Sequence, residues 1–207
     1  MNRVRRSLVI ALSLMPLALA WRGAFAQSNG NNVTELNPPL PTESDGKIEV
    51  LEFFWYGCIH CYNLEPRLET WLKTKPADVA FRRVPAVLSE RWGHDAAVFY
   101  AFEALGVLDK LHRPFFDAIH RERLRTDNMP ALNAWLEKNG VEPKKFDATV
   151  RSFGVQSKVK RAIRLTSDYK VDGTPPMAVQ GRYTISAGDT MLDTVNQLVA
   201  AVRKNKP

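Results

Sequence analysis

A nearly continuous apolar and β-prone run, IEVLEFFW, extends from Ile48 to Trp55. A run of this kind is typical of a central strand that is buried on both faces because helices cover both sides of its sheet. Gly57 breaks the run, and Ile59 to Lys73 then has helical spacing, with an apolar face formed by Leu64, Leu68, Trp71 and Leu72. The sequence therefore predicts a buried strand that leads within a few residues into the N-terminus of a helix.

The rest of the chain continues this alternation of strands and helices. The pattern predicts a strand over 79–84, helices over 95–105, 108–119, 129–139, 143–153 and 157–169, hairpin strands over 177–179 and 183–185, and a last helix from about residue 191. The order of these elements indicates an α/β domain that a helical insertion interrupts at about residues 89–154.

The first 26 residues have the pattern of a cleaved secretory signal. Arg3, Arg5 and Arg6 precede an uncharged apolar run over 8–20, and Ala24-Phe25-Ala26 predicts cleavage after Ala26. The run is shorter than the roughly 20 residues that span a bilayer, but an uncleaved anchor or an apolar core helix stays an alternative. Cleavage would remove four of the 29 basic residues and none of the 22 acidic ones. The formal charge then falls from +7 to +3, which leaves no basis for nucleic-acid binding.

The chain has two cysteines, Cys58 and Cys61, three positions apart. A disulfide stabilises most when it closes a long loop, so a bridge over two intervening residues restricts the unfolded chain little. At a helix N-terminus, unpaired N–H groups and the helix dipole stabilise a thiolate on Cys58, and His60 adds a group that can be positive or donate a hydrogen bond. This position favours redox chemistry, with half of a zinc site or an inert local disulfide as the alternatives.

A second signal is the segment Gly173-Thr174-Pro175-Pro176-Met177, directly before the predicted hairpin. X-Pro bonds adopt the cis form at a modest energetic cost, usually in tight turns. By itself, the segment is more typical of an ordinary loop that precedes a strand.

The two signals together resemble the DsbA family, the thioredoxin-fold disulfide oxidases of the bacterial periplasm. The matching motifs are CIHC after a buried strand and GTPPMAVQGRY before the last helix. VLEFFWYGCIHCY and the segment over 104–107 also fit the family pattern, and the resemblance covers residues 48–204. It implies a thioredoxin-like α/β fold with a helical insertion.

The resemblance also implies a role for each matching residue. Cys58 would be the exposed nucleophile, Cys61 the more buried resolving thiol, and His60 the residue of the dipeptide that stabilises the thiolate. Pro175 would be a cis-proline that faces the disulfide, and the backbone of Thr174 would pair with an extended substrate peptide.

Four positions are also compared with the family pattern. Ile59 stands where the family usually has proline, and Thr174 stands where valine is common; the resemblance implies that both positions tune redox potential and partner affinity. Glu52 matches a carboxylate beneath the active site, and Arg83 matches its basic partner on the neighbouring strand. A buried Glu52 would accept protons as Cys61 ionises, whereas an ordinary structural pair with Arg83 or a solvent-facing position is the alternative.

We therefore expect a signal peptide over 1–26, an N-terminal extended segment over 27–47, a thioredoxin-like domain formed by 48–88 and 155–207, and a helical insertion over 89–154. The resemblance implies a thiol:disulfide oxidoreductase that donates the Cys58–Cys61 disulfide to unfolded or partly folded exported proteins with free cysteines. It also implies a periplasmic location and reoxidation by a DsbB-like, quinone-linked membrane partner. We expect a monomer with no metal, organic cofactor or nucleic-acid partner, because the dithiol itself carries the electrons. A reductase or isomerase of the same fold, or a peptide-binding chaperone module, is the alternative function.

Overall fold

The computed structural model of the protein describes residues 32–205. The predicted signal peptide over 1–26 and the start of the predicted N-terminal segment, 27–31, lie outside the described residues. The described chain consists, in order, of β1 (Val33–Glu35), β2 (Ile48–Phe54), α1 (Ile59–Thr74), β3 (Val79–Pro85), α2 (Glu90–Ala104), α3 (Leu108–His120), α4 (Met129–Lys138), α5 (Pro143–Val150), α6 (Phe153–Asp168), β4 (Met177–Val179), β5 (Tyr183–Ile185) and α7 (Met191–Lys204).

The five strands form one sheet in the order β1-β5-β4-β2-β3. Strands β2 and β3 are parallel, and their register places Glu52 beside Arg83. Strand β4 is antiparallel to β2 and places Met177 on the other side of Glu52. The sheet therefore encloses the predicted acidic residue between two neighbouring strands.

All seven residues of β2 are buried, which confirms the predicted central strand. Leu51 and Phe53 belong to a core shared with α2 to α6, whereas Ile48 and Val50 belong to a second core shared with α1 and α7. Because apolar groups cover both faces, the strand has no solvent-facing side, and its apolar sequence is nearly continuous for this reason.

The helices α2 to α5 lie between β3 and α6 in the chain, where the sequence predicts an insertion. Helix α2 packs against α3, α5 and α6, and α4 packs against α5. The division into 48–88, 89–154 and 155–207 stays a prediction. Across residues 32–205, the helices are all too short or too polar to cross a membrane.

Three elements differ from the sequence prediction. Helix α2 begins at Glu90 rather than at residue 95, because the side chain of Ser89 accepts the backbone N–H of Trp92 and caps the helix. Helix α6 begins at Phe153 rather than at 157, and Ser152 caps it in the same way. Strand β1 was not predicted; it is three residues long and pairs with β5.

Gly181 joins the N-terminal segment to the β4–β5 hairpin. Its carbonyl oxygen accepts the backbone N–H of Leu40 at 2.8 Å. Its φ is +62°, in the left-handed region that favours glycine, and a Cβ at this position would overlap the carbonyl oxygen of Leu40. Both the backbone conformation and the close approach therefore require glycine.

We predict that Gly181→Ala destabilises the protein by about 1–3 kcal/mol, because the variant combines a strained φ with a clash against backbone. Urea unfolding followed by circular dichroism measures this free energy. The matched control is Gly154→Ala in α6, where the added Cβ meets no heavy atom within 4 Å. The control should leave stability unchanged or raise it, and equal stabilities for the two variants would contradict the argument.

Candidate active site

Cys58 lies where β2 has ended and α1 begins, and it is the N-cap residue of that helix. Its sulfur accepts the backbone N–H of Cys61 at 3.4 Å. Cys58 is half-buried, whereas Cys61 is completely buried in the first turn, and both are free thiols. One sulfur of the pair is therefore accessible to a reaction partner and the other is not.

The segment that contains Thr174 and Pro175 lies against this pair. The Thr174–Pro175 peptide bond is cis. The Sγ of Cys58 lies 3.3 Å from the backbone carbonyl oxygen of Thr174, and the carbonyl oxygen of Pro176 accepts the N–H of Phe53 at 2.9 Å. The loop is thus fixed to the end of β2, and the structure brings together the two segments that carry the sequence signals.

The surroundings of Cys58 lower the pKa of its thiol to about 5. The largest cause is a hydrogen bond from the Cys61 side chain, which outweighs the opposing effect of burial. The side chain of Thr174 and the backbone N–H groups of Cys61 and His60 also lower it. Hydrogen bonds to the charged form of an acid favour that form, so Cys58 is a thiolate at neutral pH.

The pKa of Cys61 is displaced in the opposite direction. Burial raises it far above its ordinary range, and donation of its thiol to the Cys58 sulfur and the negative charge there raise it further. In the reduced pair, Cys58 therefore carries the charge and Cys61 carries the proton.

His60 lies beside Cys58, and its side chain is exposed. It lowers the pKa of Cys58 through its backbone N–H, so the predicted role of its imidazole ring stays a prediction. The ring borders a groove of about 440 Å³ that Pro175 also lines, together with Asn63, Leu64, Arg67, Ala187, Gly188, Asp189 and Met191. The groove thus lies between α1, Pro175 and the start of α7, and His60 and Pro175 are its residues next to the cysteine pair.

Trp55 precedes the cysteine loop, and its carbonyl oxygen accepts the backbone N–H of Cys58 at 3.0 Å. Its indole stacks on Trp92 of α2 with ring centroids 4.4 Å apart, and its Nε1–H donates to Asp95 at 2.7 Å. A Cβ at Gly57 would overlap the Trp55 ring. Gly57, which ends the apolar run, thus leaves the space that the Trp55 indole occupies beside the cysteine loop.

Glu52 is completely buried in β2 beneath the cysteine pair. Its carboxylate lies 3.2 Å from the Nε of Arg83, but neither of its oxygens has a hydrogen-bond partner among the described residues. Burial raises the pKa of Glu52 to about 8, against the opposing effect of the Arg83 charge. The carboxyl group therefore holds its proton at neutral pH.

Sequence reasoning missed two buried polar residues next to this pair, Glu65 and His112. Arg83 donates to Glu65 at 3.0 Å, and the Nε2 of His112 lies 3.4 Å from the same carboxylate. A signal was present in the sequence, because Glu65 is four residues after Cys61 on the buried face of α1. His112 likewise lies on the buried face of α3, four residues before Phe116. Within residues 32–205, no group of three His, Cys, Asp or Glu side chains is arranged to hold a metal ion.

We predict that Thr174→Val raises the pKa of Cys58 by about one pH unit, because valine removes a hydroxyl donor to the thiolate. The absorbance of the thiolate at 240 nm, or the pH dependence of alkylation by iodoacetamide, measures this value. Thr174→Ser keeps the hydroxyl and is the matched control. An equal pKa in the valine and serine variants would show that the hydroxyl does not stabilise the charge.

The comparisons with known proteins agree with this geometry. The pattern of the DSBA-like thioredoxin domain matches residues 83–200. The chain is 41% identical over 201 residues to the thiol:disulfide interchange protein DsbA of Bordetella parapertussis, which covers 92% of this chain and 96% of the relative. It is 36% identical over 185 residues to DsbA of Pseudomonas aeruginosa, covering 88% of each chain.

Solved structures show the same likeness. The crystal structure of Pseudomonas aeruginosa DsbA matches with a TM-score of 0.79 at 35% identity, over 84% of this chain and 93% of that one. The oxidoreductase DsbA of Xylella fastidiosa matches with a TM-score of 0.78 at 31% identity, over 84% and 96%. The predicted thioredoxin-like fold is therefore confirmed, and the chain belongs to the DSBA-like thioredoxin family of thiol:disulfide oxidoreductases.

Proposed function

We propose that the protein works as an oxidase, giving its Cys58–Cys61 disulfide to exported proteins that contain free cysteines. The observation that carries the proposal is the unequal acidity of the two thiols. Stabilisation of the Cys58 thiolate favours the reduced form, and a disulfide whose reduced form is stabilised is a strong oxidant.

The transfer takes two exchange steps. A client thiolate attacks the Cys58 sulfur, the Cys58–Cys61 bond breaks, and a mixed disulfide between client and Cys58 forms while Cys61 leaves with the electron pair. A second client thiolate then attacks the client sulfur of that mixed disulfide, and Cys58 leaves as a thiolate. The client has lost two electrons to the protein, and the low pKa of Cys58 makes it a good leaving group in the second step.

Glu52 supplies the proton in the first step. A buried Cys61 thiolate is costly, because burial favours the neutral thiol. The Glu52 carboxyl group is protonated, buried and electrostatically coupled to both cysteines. It transfers its proton to Cys61 as that sulfur leaves, and it regains a proton from solvent afterwards.

The client binds across the groove that starts at the cysteine pair. The extended client segment pairs with the backbone of Thr174, and Pro175 lies against the reacting sulfurs. The imidazole of His60 adds a donor or a positive charge at the groove edge. The side chain of Ile59, directly after Cys58, is 48% exposed and is available to an apolar residue of an unfolded client.

The cellular setting follows from the same proposal. The N-terminal signal directs the protein to the periplasm, where it acts as a monomer. A DsbB-like membrane protein linked to quinone removes the two electrons from Cys58 and Cys61 and restores the disulfide. No metal or organic cofactor takes part in the transfer, because the dithiol carries the electrons.

Equilibration of the purified protein with glutathione buffers of graded redox poise tests the proposed direction. We expect a potential well above that of thioredoxin, about −270 mV. Cys58→Ser should lose all turnover, whereas a peptide-binding chaperone would keep its client binding and its effect on folding. A potential as low as that of thioredoxin would reject the oxidase function.

We predict that Glu52→Gln slows the oxidation of a dithiol peptide by about tenfold or more at neutral pH, because glutamine cannot give a proton to Cys61. Stopped-flow fluorescence with the oxidised protein measures the rate. Glu49→Gln is the matched control, because Glu49 is buried in the same strand but pairs with Arg82 at 3.3 Å, away from the cysteines. Wild-type kinetics in the Glu52 variant would remove the proposed proton transfer.

A further inference from the structure

Arg83 lies between two buried carboxylates. Its Nε is 3.2 Å from Glu52, and its Nη2 is 3.0 and 3.3 Å from the two oxygens of Glu65. The side chains of Glu52 and Glu65 are 0% and 1% exposed, and that of Arg83 is 18% exposed. One positive charge thus serves two groups that would each be negative in water, and one proton is needed to make the cluster neutral.

The carboxyl groups of Glu52 and Glu65 differ in their hydrogen-bond partners. Glu65 accepts hydrogen bonds from Arg83 and has His112 beside one oxygen. Glu52 has one contact with Arg83, 3.2 Å from its Nε, which does not have the geometry of a good hydrogen bond and which burial outweighs. Hydrogen bonds favour the ionised form of an acid, and burial without them favours the neutral form. The contacts therefore favour the charge on Glu65 and the proton on Glu52.

His112 is itself held firmly in place. It is buried, and the Tyr56 hydroxyl lies 2.9 Å from its Nδ1. If the hydroxyl donates to Nδ1, then Nε2 carries the hydrogen and donates to Glu65, which satisfies all three groups with a neutral imidazole. Phe54, Phe99 and Phe116 surround the ring with their edges or tilted faces. The donor to Glu65 is thus fixed by packing as well as by a hydrogen bond.

Every element packed against the cluster contributes to its charge. The titratable or charged groups that interact with Glu52, Glu65 or His112 are Tyr56, Cys58, Cys61, Glu69 and Arg83. A cavity of about 290 Å³ borders Glu65, Arg83 and His112 from outside, and its other charged lining residues are Glu69, Asp109 and Arg113. Glu65, Arg83 and His112 therefore border this cavity, whereas Glu52 does not line it.

We infer that Glu65 and His112 are positioning residues that place the single proton of the buried carboxylate pair on Glu52, where it is available to Cys61. The inference rests on the proposed proton transfer from Glu52 and names the residues that control it. Without the His112 donor, ionised Glu65 is less stable, and the proton moves from Glu52 to Glu65. Without the Glu65 charge, Arg83 pairs with Glu52, which then ionises.

Infrared spectroscopy of the reduced protein tests the location of the proton without relying on turnover. A protonated carboxyl group has a C=O stretching band, and the part of that band lost in Glu52→Gln belongs to Glu52. Subtraction from the wild-type spectrum cancels the signals of Glu49 and Asp95, whose pKa burial also raises. In Glu65→Gln at neutral pH, we expect the Glu52 band to be lost. A band that stays as in the wild type would overturn the inference.

His112→Phe gives a second and independent result, including the case in which Glu65→Gln fails to fold. The protonated band should persist in this variant but move away from its wild-type frequency, because the proton now resides on Glu65, whose hydrogen-bond partners differ from those of Glu52. His112→Gln keeps an N–H donor and should restore the wild-type behaviour. A protonated band that stays at its wild-type frequency in His112→Phe would overturn the inference.

Exchange kinetics separate this inference from the proposed function. In both Glu65→Gln and His112→Phe, the rate of peptide oxidation at neutral pH should fall about as far as in Glu52→Gln. A relocated proton with wild-type rates would reject the catalytic use of Glu52, while the control of its proton by Glu65 and His112 would stand.

Discussion

The negative charge on the Cys58 sulfur is the feature on which the rest of the site depends. Its hydrogen-bond donors come from the first turn of α1 and from Thr174, which is 116 residues away along the chain. Strand β2 leads directly to the first turn of α1. Strand β4, which pairs with β2, directly follows the segment that contains Thr174. The sheet therefore fixes these donors before any charge develops, so no reorganisation is needed when the thiolate forms. This is why a fully buried strand ends at a reactive cysteine.

Much of the fold could be predicted because its elements carry strong local patterns. The apolar run of β2, the glycine after it and the helical face of α1 predicted a strand–loop–helix unit that the structure confirms. The hairpin strands over 177–179 and 183–185 also lie where the sequence places them. Strand β1 could not be predicted, because three residues are too few for a period and its stability comes from pairing with β5. The starts of α2 and α6 depended on serine caps next to weakly apolar first turns.

The site was less predictable, because its electrostatics arise between distant segments. The cysteine pair and Glu52 were identifiable from their positions in a motif and in an apolar strand. The contribution of Thr174 through its side chain, by contrast, depends on how close the loop comes to Cys58. His112 and Glu65 are 47 residues apart and meet only because α1 packs against α3. A polar residue on the buried face of a helix is the sequence signal for such a cluster, but its partners depend on tertiary packing.

The two thiols also determine how the oxidising power responds to pH. With the pKa of Cys58 at about 5 and that of Cys61 far above its ordinary range, reduction of the disulfide between pH 5 and 8 takes up one proton. A client dithiol with ordinary pKa values near 8.5 releases two. Each added pH unit therefore favours transfer of the disulfide to the client by about tenfold.

The stability of the fold responds to pH in the opposite direction, because of Glu52. Its pKa is raised from 4.5 to about 8, so between these values the folded protein holds a proton that the unfolded chain has released, and stability falls as the pH rises through this range. An apolar side chain would fill the same space without that cost. The cost of a buried carboxyl group at this position is therefore better explained by the proposed transfer of its proton to Cys61 than by packing.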